Sequence, residues 1–501
     1  MIEGRESRIG DCGLRLARSA ILAATLLALA GCATFATRPS SGPIEGALAE
    51  VAPASSTGLS VVFASEPARR KIATDVWQLI AERFYDPAMN GVDWPAVRER
   101  FVPRAAVATS DAAFYRELKA MAASLRDSHT QVLTPRETID RRRFTTTRVG
   151  VMFGLIDGQL VITEVEPGTP AALAGVRPGD AVLALGRPGA PTRIDAAFIQ
   201  AAQASGAAAE SADADGPDAP AAAGQRPRVT EEQRVLRAVM RVLRPLAATA
   251  ERPAQPIHFE LERADASVVR LSIAPDRVTR PPVAELRWLD GEVAVIRFTR
   301  FAQEVRPDLE RALDAAARAR AVIVDLRGNG GGLIGQYRWF TGQFFDTAAP
   351  AMRELRRDRS EPGAQRETEL RVGPGGSRTR TPLMQPVAVL IDPRTASSAE
   401  LTTVTLLEQR GALLVGQPTC GCVVAVPDVH VLPDGGEVRI AETGFRSMRG
   451  ARMEGEPTMP AVRVVPTLSD LRAGRDTVLD EARRRVLERV RGTAGASASS
   501  P

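Results

Sequence analysis

The stretch VAVLIDPRTASSAEL, residues 387–401, decides how the chain is read. Its first half, VAVLID (387–392), is a short continuous apolar run of the kind that forms a strand buried on both faces. A Pro-Arg-Thr turn follows, then two adjacent serines, Ser397 and Ser398, and a helix predicted to reach about Arg410. The run ALLVG after it is again a strand. The same alternation stands upstream. GEVAVIRF (291–298) is a strand, Pro307 suits a first helical turn and DLERALDAAARAR continues it. RAVIVDLR (320–327) is an apolar strand that ends in Gly328-Asn329-Gly330-Gly331-Gly332. Strand, helix and strand in repetition predict an α/β core over 277–487, with loops at the strand C-terminal ends where active sites sit.

A serine between a strand end and a helix start is exposed on a turn, and the N–H groups that follow it lie at the positive end of the helix. It becomes a nucleophile only beside a proton acceptor. The sequence has few. Lysine occurs only at Lys71 and Lys119, both in the N-terminal region, and histidine only at His129, His258 and His430. His258 in PIHFELER and His430 in PDVHVLP fall in strands. His129 in RDSHT falls in a polar turn after a helix, which makes it the candidate base. Ser397 and Ser398 have a plainer reading as caps of the following helix.

The region before the core divides in two. Over 67–140 the pattern is helical: ARRKIATDVWQLIAERF carries an apolar stripe at Ile72, Val76, Leu79, Ile80 and Phe84, and a second helix from about Asp111 to Leu125 can be capped by Ser110 or Asp111. Over 141–276 the pattern is mainly β. VGVMFGLIDGQLVITEV (149–165) alternates around an Asp-Gly turn and predicts a hairpin. The following GTPAALAGVRPGD (168–180) resembles the short helix and turn of a PDZ domain. By that resemblance Gly150, Val151, Met152 and Phe153 form the loop that receives a peptide's C-terminal carboxylate. Residues 201–228 are low-complexity and expected to be disordered. The strands HFELER and VVRLSIAP then complete the module. Residues 488–501 read as an unstructured tail.

At the N-terminus, Arg15 and Arg18 precede AILAATLLALA (20–30), an apolar run with the flanks of a signal peptide. Leu29-Ala30-Gly31-Cys32 resembles a bacterial lipobox, which implies cleavage after residue 31 and lipid on Cys32. Residues 32–66 would then be a tether rich in Ala, Pro, Ser and Gly. The expected setting is the cell envelope, facing the periplasm or the outside. Two further cysteines remain, Cys420 and Cys422 in PTCGC. An exported compartment permits a disulfide, and their state stays open.

Composition narrows the function. The chain has 501 residues, 44 % hydrophobic and 25 % charged, ordinary for a globular protein. Its arginines are interspersed with acids rather than gathered into a stripe, which argues against nucleic-acid binding. No HExxH, P-loop or dinucleotide fingerprint is present, so no metal and no organic cofactor is implied.

Taken in order, the N-terminal helices with FYDPAMNGVDW (84–94), DSHT, a PDZ-like segment, DLRGNGGG, TASSAEL, VGQPT and MEGEPTMP resemble the carboxyl-terminal processing protease family of serine peptidases over about 70–485. The resemblance implies a ClpP/crotonase-like α/β peptidase core with an N-terminal helical region and an inserted PDZ domain. Members of one type use a Ser–Lys pair, and Cys422 stands here at the lysine's place. The sequence is closer to the tricorn core protease type, which implies Ser397 as nucleophile, His129 as base, and Ser128 and Glu454 as its relay. The oxyanion would be held by the N–H of Ser398 with that of Gly330 or Gly331. Ser398 as nucleophile and Glu456 in the relay are the alternatives. The implied partners are polypeptides, recognised through C-terminal segments, and a membrane through Cys32. Delivery of His129 from a distant segment also suggests gating. A catalytically inactive, peptide-binding lipoprotein is the competing reading, and a metal site on Cys420, Cys422 and a histidine is a third.

Overall fold

The computed structural model describes residues 65–212, 231–247, 253–290, 292–361, 363–374 and 380–498. The expected signal segment, the lipidation at Cys32 and most of the tether lie outside them.

The core is a six-stranded sheet in the order Ala284–Leu289, Val293–Phe298, Ala321–Asp325, Val387–Ile391, Leu413–Gly416 and Val462–Arg463. The first pair is antiparallel and the rest are parallel. Ala321–Asp325 and Val387–Ile391 are buried along their whole length, as their uninterrupted apolar runs require. The helix Ser398–Arg410 leaves the second of these and ends at Gly411 in the left-handed conformation. Helix Arg306–Ala316 carries Pro307 in its first turn, where no N–H is missed.

A four-stranded antiparallel sheet lies in the order Gln365–Val372, Ala349–Arg357, Thr443–Ser447 and Val424–Ala425. Between the two sheets Phe298, Phe301, Phe340 and Phe344 form an aromatic cluster, with Phe298 4.8 Å from both Phe301 and Phe340. Phe301 anchors the glycine loop: its N–H donates to the Gly331 carbonyl at 3.0 Å and its carbonyl accepts from Leu333 N–H at 2.8 Å.

The N-terminal helices Glu66–Arg83, Trp94–Ala106 and Asp111–Ala123 pack around Phe84, Phe101, Phe114 and Leu118. Ser110 caps the third, accepting from Ala113 N–H at 3.1 Å. This region is pinned to the core by Tyr85 N–H on the Ala441 carbonyl (2.9 Å) and by the Tyr115 hydroxyl on the Asp434 carboxylate (2.7 Å). The strand Gln131–Leu133 adds a third pin by pairing with Glu437–Arg439.

A separate sheet begins at Val151–Ile156, an edge strand paired only with Gln159–Val165. The hairpin turn is Asp157-Gly158, both at positive φ. Val151, Met152 and Phe153 already belong to this strand, opposite Val165, Glu164 and Ile162. They therefore do not form the expected loop, because the apolar alternation carries pairing up to Val151. Gly150 precedes the strand at φ +89°, where a Cβ would fall 2.2 Å from Thr169 Oγ1. This sheet is joined to the core by Arg394, whose guanidinium meets Glu164 at 2.6 Å and Asp392 at 3.0 Å.

Two disorder expectations fail where they overlap described residues. The helix Ala196–Ala212 runs well past 201, because AAQASGAAAESA is dominated by alanine, the strongest helix former. The C-terminal helix Thr477–Ala498 continues past 488, and Val490 packs partly buried against the core.

Candidate active site

The turn that follows Val387–Ile391 places Ser397 with φ 56° and ψ −123°, outside the extended conformation of an ordinary helix cap. Such a backbone persists only where the surroundings over-determine it. Here they do. Ser397 N–H is shared by the Cys422 carbonyl (3.0 Å) and Glu400 Oε2 (3.2 Å). The preceding Ala396 N–H donates to the Asn329 carbonyl at 3.0 Å. Ser398 Oγ donates to the Gly332 carbonyl at 3.0 Å, which spends that hydroxyl's proton inside the fold.

The glycine loop lies against this turn. A Cβ on Gly331 would sit 2.6 Å from Ser397 Cβ and 2.9 Å from Ser398 N, and its φ is +84°, so only glycine fits. Asn329 is wholly buried and sets the loop: its Oδ1 accepts from Gly331 N–H at 2.9 Å and its Nδ2 donates to the Phe298 carbonyl at 2.9 Å. The Gly331 N–H is thereby engaged. Among the described residues neither Gly330 N–H nor Ser398 N–H has a hydrogen-bond partner. Of the two glycines expected at an oxyanion site, Gly330 is the one with a donor to offer.

Glu400 lies behind Ser397 and is wholly buried. Besides Ser397 N–H, its carboxylate accepts from Thr419 Oγ1 (2.5 Å), Gly421 N–H (2.8 Å) and Cys422 N–H (2.9 Å). Burial pushes its pKa up to about 7, against these donors, which pull it down. In sequence Glu400 served only to mark a motif. Its bond to Ser397 N–H is that of a Ser-x-x-Glu capping box, a local signal in the sequence; its donors at 419–422 are collected by the fold and have no local pattern.

Ser128 and His129 lie in the loop after helix Asp111–Ala123. Asp127 Oδ1 shapes that loop by accepting from His129 N–H (2.8 Å) and Thr130 N–H (2.6 Å). Ser128 Oγ is 2.6 Å from His129 Nδ1 and 3.0 Å from Glu454 Oε2. Glu454, 326 positions away in sequence, also accepts Ser128 N–H at 2.8 Å. A hydroxyl has one proton to give. If it goes to the Glu454 carboxylate, Ser128 accepts from Nδ1–H, and His129 Nε2 is left with a free lone pair. Burial lowers the His129 pKa from its ordinary 6.5; Arg141 and Arg439 lower it further, and Asp127 opposes them. Burial raises the Glu454 carboxyl, and the Ser128 bonds pull it back.

One peptide unit links the two halves. The Cys422 carbonyl takes Ser397 N–H, and the N–H of the next residue, Val423, donates to Glu454 Oε2 at 2.7 Å. Among the described residues no hydrogen bond joins His129 Nε2 to Ser397 Oγ; in sites without substrate such bonds are often long and tighten on binding. Glu456 makes no contact with the relay through its carboxylate among the hydrogen bonds described. Cys420 and Cys422 are bridged to each other, with Cα atoms 5.2 Å apart. The bridge consumes both thiolates and removes the metal site considered on them. Among the described residues no group of three or more His, Cys, Asp or Glu side chains could hold a metal ion.

Residues 292–464 match peptidase family S41, and residues 66–123 match the tricorn protease C1 domain. The S41 match thus falls on the α/β core, and the tricorn C1 match on the N-terminal helices. The chain is 29 % identical over 168 residues to the carboxy-terminal processing protease CtpA of Bacillus subtilis (strain 168), covering 33 % of each chain. It is 24 % identical over 386 residues to the chloroplastic carboxyl-terminal-processing peptidase 2 of Arabidopsis thaliana, covering 73 % of this chain and 63 % of that one. The chain thus spans about a third to under two thirds of the length of these relatives. Among solved structures, mature CPAF superposes with a TM-score of 0.58 over 86 % of this chain and 99 % of that one, at 13 % identity, a likeness of fold.

Proposed function

We propose that the chain is a serine endopeptidase. Ser397 Oγ attacks the scissile carbonyl while His129 Nε2 takes its proton, giving a tetrahedral oxyanion. The N–H groups of Ser398 and Gly330 receive that oxyanion, each such donor being worth roughly 100- to 1000-fold in rate. The imidazolium is stabilised through Ser128 by Glu454. It returns its proton to the leaving amine, and a water deprotonated by the same nitrogen releases the acyl group. The observation that carries this reading is the relay Glu454–Ser128–His129, assembled from opposite ends of the chain and joined to the nucleophile turn by the Cys422–Val423 peptide unit.

The sheet that begins at Val151–Ile156 is read as a PDZ-like module, which binds C-terminal segments of polypeptides at the free edge of that strand next to Gly150. With lipid on Cys32 the enzyme works at the cell envelope on exported or membrane-associated polypeptides.

A fluorophosphonate probe tests the chemistry. Labelling is expected at Ser397, with Ser397→Ala unlabelled and His129→Ala slowed about 1000-fold or more while the fold is retained. An intact fold without labelling at Ser397 would leave a peptide-binding protein and no hydrolase.

A further inference from the structure

We propose that the Cys420–Gly421–Cys422 loop, closed by its disulfide, is the positioning element that keeps the Ser397 and His129 halves of the site in register, so that hydrolysis requires the disulfide. The inference rests on the peptidase reading above.

The loop bonds to both halves. Toward the nucleophile, Cys420 N–H donates to the Thr395 carbonyl at 3.0 Å, Gly421 and Cys422 N–H donate to Glu400, and the Cys422 carbonyl accepts Ser397 N–H. Toward the base, the Gly421 carbonyl accepts Gly455 N–H at 2.7 Å, and Val423 N–H reaches Glu454. Gly421 has φ +70°, and a Cβ there would lie 2.8 Å from Pro457 N and 3.0 Å from Glu456 N. The segment that carries Glu454 is therefore seated directly on the loop. Among the described residues Ser397 and Glu454 share no hydrogen bond; this tripeptide and the residue after it link them directly, beside a second connection through Thr419, whose Oγ1 accepts from Thr458 N–H and donates to Glu400.

Three consecutive residues that must hold this many bonds at once pay backbone entropy for each. A cross-link from the first to the third removes much of that freedom before any hydrogen bond forms. In the Ser–Lys type of the family it resembles, the position of Cys422 is a lysine that acts on the nucleophile's proton. Here the side chain at that position is covalently committed, and its contribution is geometric. Reduction by a dithiol breaks the S–S bond, moves two electrons and two protons onto the two sulfurs, and leaves the dithiol as its own cyclic disulfide. The loop then keeps its neighbours and loses its constraint.

The test uses the full chain purified without reductant. Alkylation with iodoacetamide followed by mass mapping is expected to leave Cys420 and Cys422 unmodified before dithiothreitol and to modify both after it. Hydrogen–deuterium exchange of segments 395–401 and 419–424 is expected to quicken about tenfold on reduction, while the helices of 66–123 stay unchanged. Fluorophosphonate labelling of Ser397 and kcat are expected to fall about 10- to 100-fold on reduction, with KM nearly constant, and to recover on reoxidation. The double variant Cys420→Ser/Cys422→Ser is expected to match the reduced protein and to ignore dithiothreitol. Free thiols in the oxidised protein, unchanged exchange at 395–401, or equal labelling with and without the bridge would each overturn the proposal. If the oxidised protein labels at Ser397 and reduction leaves the rate unchanged, the peptidase reading stands and the brace fails. If the oxidised protein never labels, the peptidase reading fails, and the exchange measurement alone decides whether the bridge orders the turn.

Discussion

The two halves of the site are built by different means. Ser397 stands at the end of a strand whose five residues are all buried, facing a glycine loop at the end of the neighbouring strand. Its geometry is set by the parallel sheet and by residues within the same core. His129 comes from outside that core, on a loop where Ser128 is exposed and His129 only partly covered. It is held in place by Tyr85 on Ala441, Tyr115 on Asp434 and the short strand pairing at Gln131–Leu133. Damage to the nucleophile half should therefore cost folding as well as rate. Damage to the base half should cost rate with the core left standing.

Gly331→Ala presses hardest on this contrast. A methyl group 2.6 Å from Ser397 Cβ and at positive φ cannot be housed without moving the nucleophile turn. Hydrolysis should fall about 100- to 1000-fold, with a loss of stability of roughly 1–3 kcal/mol seen in denaturant unfolding. Glu454→Gln addresses the base half. It leaves Ser128 beside an amide in place of a carboxylate, so the imidazolium loses its support, and kcat should drop about 10- to 100-fold at unchanged KM. A stability loss as large as that of Gly331→Ala would contradict the division between halves.

A gentler probe is the pH profile of kcat/KM. The proposed mechanism needs neutral His129, whose pKa burial, with Arg141 and Arg439, holds below its ordinary 6.5. The acid limb should therefore lie below pH 6.5. Arg439→Gln removes a like charge, makes the imidazolium easier to form and should move the limb upward. A limb that stays in place would separate Arg439 from the base.

The smallest effect concerns stability alone. Glu400 has a folded pKa of about 7 against an ordinary 4.5, so the folded state favours its protonated form. That contribution is complete below pH 4.5 and is lost as pH rises through 7, on the order of 3–4 kcal/mol in all. Glu400→Gln cannot titrate, so its unfolding free energy should decline less between pH 4.5 and 7 than that of the parent. An identical decline would place the buried proton elsewhere.

Much of the nucleophile half was legible in the sequence, because VAVLID and RAVIVDLR are unbroken apolar runs with turn residues at their ends. The relay was named through motif resemblance, and the fold brings Ser128, His129 and Glu454 together. What could not be read depends on assembly. Glu400 gains its donors from a loop some twenty residues on, and nothing in PTCGC tells a bridged pair from free thiols. The strands Ala349–Arg357 and Gln365–Val372 are crowded with arginine and glutamate, and too few apolar residues remain for a strand alternation to show. Alanine-rich sequence up to Ala212 looked like low complexity and is helix, since small side chains lose little entropy there.

The ion pair of Arg394 with Glu164 has a further consequence. It fastens the separate sheet to a residue only three positions before Ser397, and both side chains are more than a third exposed or close to it. Dissolved ions screen a contact of that kind while leaving deeper pairs such as Arg327 with Asp325 largely intact. Rising salt should thus slacken the mooring of that sheet first, so ionic strength acts on the turn from the module's side before it is felt in the interior.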